Sequence, residues 1–228
     1  MVIATDGIFF FMRTAEDIYT ITCLCSSIID ANRGYGACTQ VTKKGTSDPH
    51  CVSFVLRHLE HAGLNSAITL QIDGESAIVD LAKLIAAKRH AENQLRQTPT
   101  GPKPSNAVAK RFHQSVEGLV HTGKLALEAH HNMTLKNTSI LTPWLVRHSG
   151  WLHSHYQIQS DGRTSFERVK HRPYDGLIVE FGECASARQS GPIMQKMEPH
   201  WVTGIWLGKS ISKDEHIVAT PQGLMQSR

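Results

Sequence analysis

The sequence predicts an α/β fold: a mixed sheet covered by helices, followed by a small β-rich module. Three observations predict it. Apolar, β-prone runs at 17–29, 35–41 and 68–72 surround an amphipathic helical pattern at 48–62. Further helical patterns at 75–96, from Asn106 onward and at 143–156 supply covering layers. After Tyr156 the composition turns polar, and short β-like pieces separated by Gly and Pro follow.

The elements take this order. The run 17–29 is rich in Ile, Thr, Tyr and Cys and reads as one or two strands; with 35–41 it forms a hairpin that has Asp30 at its turn. The helix at 48–62 shows Val52, Val55, Leu56 and Leu59 on one side, with Asp48-Pro49 as its start signal and Gly63 as its stop. The run 68–72 is a buried strand. The helix at 75–96 turns Ile78, Leu81, Ala82, Ile85 and Ala86 inward, and three prolines with a glycine make 97–104 a loop. The long helix from Asn106 turns Val108, Phe112, Val116, Leu119, Val120 and Leu127 one way, and Lys110, Gln114, Glu117, His121 and Lys124 the other. Trp144, Trp151, Trp201 and Trp206 are read as packing residues. The apolar run from Ile8 to Met12 is read as the remnant of a strand or of a longer polyprotein.

A chain of 228 residues suffices for one sizeable core and a small second module. The organisation read from it is a core over 1–160, a connector over 161–190 and a β-rich module over 191–228. Five cysteines, an odd number without CxxC spacing, point to a reducing compartment. No apolar run spans a membrane and no signal peptide is visible, so no membrane partner is expected. The net charge is +4. From Lys83 to Arg111, however, seven basic residues stand against one acid, Glu92. That stretch is either a solvated helix face or a rim for phosphates.

Asp73 closes the strand at 68–72, and Asp17 opens the run at 17–29. Lys110 lies 37 positions after Asp73, on a helix that starts after Ser105-Asn106-Ala107. Acid, acid and helix in this arrangement resemble the catalytic core of retroviral and copia-type retrotransposon integrases, in the ribonuclease H-like superfamily. Asp30 with Gly34 resembles the family's structural turn. Arg163-Thr164-Ser165-Phe166-Glu167, Phe181-Gly182-Glu183 and the strand Trp201 to Gly208 resemble segments that follow the core in copia-type members.

The resemblance implies a ribonuclease H-like sheet with a C-terminal SH3-like module, and DNA integration by metal-dependent phosphodiester transfer. Two Mg²⁺ or Mn²⁺ ions would be held by carboxylates, as hard cations require. Asp17 and Asp73 are the candidate ligands, with Glu16 and Asp6 as competitors of Asp17. In the family a Glu completes the triad, and Lys110 stands in its place. That exchange changes the local charge by two units, and a unit pair at about 4 Å is worth about 4 kcal/mol at an effective dielectric of 20. Glu117, about 10 Å farther along the helix, is too distant to substitute. The chemistry is therefore expected to be impaired, leaving as the alternative a non-catalytic DNA-binding or interaction module derived from an integrase. Lys103, Asn106, Lys110, Arg111, Gln114 and Lys124 are the expected nucleic-acid contacts. The resemblance further implies DNA, further copies of the chain and other segments of a transposable-element Pol polyprotein as partners, and the nucleus as location. The family's zinc-binding His-His-Cys-Cys module is not visible among the fourteen histidines.

Overall fold

The structure, a computed structural model, describes residues 7–14, 24–41, 43, 45–72, 75–97, 107–136, 138–188 and 200–227, with the backbone alone for 7–14 and 24–26. Five strands, β1 (Gly7–Thr14), β2 (Leu24–Asp30), β3 (Gly36–Gln40), β4 (Ile68–Ile72) and β5 (Asn93–Gln97), form one sheet in the order β3-β2-β1-β4-β5. The β1–β2 and β2–β3 pairs are antiparallel; β1–β4 and β4–β5 are parallel.

The two faces of this sheet follow from period-two alternation. Ile28, Ala37, Ile68, Leu70 and Ile72 point to one face, where α1 (Pro49–His61) and α2 (Ser76–Lys88) cover them with Val52, Val55, Leu59, Ile78, Leu81 and Ile85. Ile29 and Cys38 point to the other face. There α3 (Ala107–His131) contributes Ala109, Phe112, Val116 and Val120, and α4 (Leu141–Tyr156) contributes Leu145 and Val146. The helix α3 packs closely because Gly36 has no side chain: a Cβ there would stand 2.6 Å from the Phe112 ring. The edge strand β3 is covered by α4. Ser154 Oγ accepts from Gly36 N at 2.9 Å and donates to Gly36 O at 2.6 Å. Such coverage removes the hazard of an open sheet edge.

Local signals act where expected. The Asp48 carboxylate accepts the His50 N–H at the start of α1, and Gly63 beyond its end has φ 71°. Asp30 is buried and accepts the amides of Asn32 and Arg33, while Gly34 takes φ 71°. It is a turn carboxylate paired with the Arg33 guanidinium.

Several expectations are corrected. The run at 8–12 belongs to a full strand, β1, central in the sheet. The helix expected over 75–96 ends at Lys88, and its tail is the edge strand β5. Two side chains redirect the chain there: the Arg89 guanidinium donates to the carbonyls of Leu64 and Ser66, and the Asn93 amide donates to Ala86 O. Of the β-like pieces expected after Tyr156, the one at 177–181 forms no strand. A second sheet, order β6-β7-β8-β9, takes β6 (Cys184–Arg188) from within the span read as connector, then β7 (Trp201–Lys209), β8 (His216–Thr220) and β9 (Gly223–Ser227). Trp201 is 62% exposed, whereas Trp206 is 1% exposed and fills this sheet's small core with Ala187 and Val218.

Between the sheets lies α5 (Ser165–Lys170), started by a capping box in which Thr164 Oγ1 accepts from Glu167 N and Glu167 accepts from Thr164 N. No helix among the described residues is long and apolar enough to cross a membrane.

Candidate nucleic-acid interface

The helix α3 carries the candidate site because one of its faces is held by the sheet and the other is left to solvent. Ala109, Phe112 and Val116 face inward, and Lys110, Arg111 and Gln114 are exposed. His113 is buried and hydrogen-bonds Ser27 of β2 at 2.7 Å, which fixes the helix rotation. Lys124 is half-buried beside Glu128, Nζ to Oε1 3.8 Å. The structure thus gathers Lys110, Arg111, Gln114 and Lys124 on one helix. Asp17, Asp73, Lys103 and Asn106 lie outside the described residues.

The carboxylate side of the site is limited by strand boundaries. In the parallel register Phe10 pairs with Ile72, the last residue of β4. Among the described residues the first strand spans Gly7–Thr14, and Asp17 lies outside them. None of its eight residues, GIFFFMRT, is acidic.

Beside the exposed start of α3 is a cavity of about 590 Å³. Arg111, Gln114 and Ser115 line it from α3, His153 and Gln157 from the end of α4, and Gln159 and Arg168 from the following segment and α5. Arg168 is anchored by Asp161 at 2.7 and 3.0 Å. Burial lowers the pKa of His153 to about 4, so its ring is neutral at pH 7. Gln157, Gln159 and Arg168 were missed as site residues. They are more than forty positions from Arg111 in the sequence, and only the packing of α4 on α3 brings them to it.

No family model and no curated protein matches the chain. Solved structures do. One is a chain of the simian T-cell lymphotropic virus intasome in complex with PP2A regulatory subunit B56 gamma, 11% identical with a TM-score of 0.52, over 98% of this chain and 76% of that one. The fold is integrase-like. The catalytic core domain of HTLV-2 integrase, in its trimeric form with magnesium, is 9% identical with a TM-score of 0.51, over 72% of this chain and 96% of that one.

The candidate ligands Asp17 and Asp73 lie outside the described residues, and the described part alone supplies no ligand set for a pair of magnesium ions. Hard divalent cations need several oxygen ligands at close range. Among the described residues no three His, Cys, Asp or Glu side chains converge on a common point. The first strand offers no carboxylate, and the first turn of α3 offers Lys110 and Arg111.

Proposed function

We propose that the chain is an integrase-like DNA-binding protein in which metal-dependent strand joining is lost or very weak. The observation that carries this reading is the first turn of α3: in an integrase-like fold, Lys110 and Arg111 are exposed there, where the resemblance places a metal-binding Glu. The acid-free β1 favours the non-catalytic form of the reading, a DNA-binding module derived from an integrase. In this reading the first sheet is ribonuclease H-like and the second is an SH3-like module. The chain belongs to a copia-type element and acts in the nucleus with DNA, further copies of itself and other polyprotein segments. Asp17 and Asp73 are the remains of the metal site. The trimeric form in which HTLV-2 integrase was solved supports self-association.

Phosphate contacts by Lys and Arg are sequence-tolerant and release counterions. Three such contacts, from Lys110, Arg111 and Lys124, give an affinity for duplex DNA that falls about 40-fold between about 50 and about 200 mM salt. Lys110→Glu is expected to weaken binding about tenfold and to flatten the salt slope by about one unit. Fluorescence anisotropy of a labelled duplex measures both. An affinity independent of salt refutes the DNA reading.

A further inference from the structure

The cavity beside α3 has a chemistry more selective than phosphate contact. We propose that it takes a single unpaired nucleotide, its base edge met by the amides of Gln114, Gln157 and Gln159 and its phosphate by Arg111. The proposal rests on the nucleic-acid reading of α3 and adds a preference for unpaired over paired strands.

Size comes first. About 590 Å³ exceeds what a lone phosphate needs and lies within the usual range for organic ligands, roughly 300–1,000 Å³. Charge comes second. None of the described residues lining the cavity is acidic, and among the described residues the hydrogen bond found for the Arg111 guanidinium is to Ala107 O of its own helix, at 3.4 Å. The other guanidinium, Arg168, is held by Asp161 and forms a fixed wall.

Hydrogen bonding comes third. A glutamine amide carries two donors and an acceptor, the set that pairs with a base edge; Gln159 Nε2 gives one donor to Ser165 Oγ at 3.4 Å and keeps its second donor and its acceptor. His153, 5% exposed, lines the same cavity, and its Nδ1 has no hydrogen-bond partner among the described residues. Ile29 and Val108 give the cavity an apolar side against which a base plane fits. A duplex keeps its base edges paired, so this chemistry selects an unpaired nucleotide.

The test uses the full chain and three probes: deoxyadenosine monophosphate, a short single strand carrying one 2-aminopurine, and a duplex of the same length. The natural chain is expected to bind the mononucleotide and to change the 2-aminopurine emission. Gln157→Ala and Gln159→Ala are expected to weaken both about tenfold, the loss of one bidentate contact, and to leave duplex affinity within about twofold. Circular dichroism confirms that each variant is folded. Equal binding of the single strand by the natural chain and both variants overturns the proposal, as does failure of the natural chain to bind the mononucleotide. If the mononucleotide binds while the duplex does not, the DNA-binding function falls and the cavity assignment stands.

Discussion

Acidification from about pH 7 to about pH 5 is expected to unfold this protein. His58, His148, His153 and His155 are each less than a tenth exposed. Burial lowers the pKa of His58 to about 3 and of the other three to about 4. The reasons are visible in the packing. His58 stacks on Tyr35 at 5.2 Å; His155 stacks on Trp151 at 4.1 Å and meets Phe166 and Tyr174. His148 lies between Trp151, Phe181 and Trp206, and His153 meets the Phe112 ring edge-on at 4.7 Å. Imidazolium in such places loses its hydration.

The sign follows from linkage. An unfolded histidine titrates near 6.5, so below that pH the unfolded chain binds protons that the folded chain refuses. Stability is complete above about 6.5 and falls as the pH drops toward about 4. By pH 5 each histidine removes about 2 kcal/mol, and four together approach the whole stability of a typical domain, about 5–15 kcal/mol. Urea midpoints followed by tryptophan emission at pH 7.5, 6 and 5 measure the effect. A midpoint that holds constant from pH 7.5 to 5 contradicts it.

Trp206→Ala is expected to cost about 3–5 kcal/mol and to unfold the second sheet first. The core of that sheet is small: Trp206 with Ala187 and Val218, and Ala185 and Met225 packed beside them. Its Nε1 donates to His216 Nδ1 of β8 at 2.9 Å, within the sheet, and its ring meets His148 of α4 edge-on at 5.1 Å, which joins the sheet to the rest of the chain. Trp206→Phe keeps most of the packing and leaves His216 Nδ1 without its donor, so a smaller loss, about 1–2 kcal/mol, is expected. Denaturation curves and hydrogen exchange of the β7 and β8 amides separate the two variants. A loss below about 1 kcal/mol for Trp206→Ala refutes this role.

Local signals made much of the fold legible. Asp48-Pro49 and Gly63 bounded α1 to within a residue, and the spacing of Phe112, Val116 and Val120 gave the buried face of α3. Two strands were read incompletely, β1 only as a possible remnant and β5 as the tail of a helix, because their sequences lack the usual pattern. Central strand β1 is apolar without alternation from Gly7 to Met12, and edge strand β5, Asn-Gln-Leu-Arg-Gln, is mostly polar. Trp201 and Trp206 were both read as packing residues, but they differ in parity along β7: Trp201, Thr203 and Ile205 are exposed, whereas Gly204 and Trp206 are buried. The candidate surface of α3 was legible, and the cavity beside it was not. The polar face of α3 with Lys110, Gln114 and Lys124 follows from helical periodicity, but the cavity depends on the packing of α4 and α5, which local sequence does not encode.

The most direct test incubates the natural chain with a short donor duplex and plasmid DNA, with Mg²⁺ and with Mn²⁺, and follows complex formation and joined product on the same gel. The account predicts a salt-sensitive complex without joined product in either metal. Mg²⁺- or Mn²⁺-dependent joining by the natural chain would contradict it, and would mean that other acids complete a working metal site despite Lys110 and the acid-free β1.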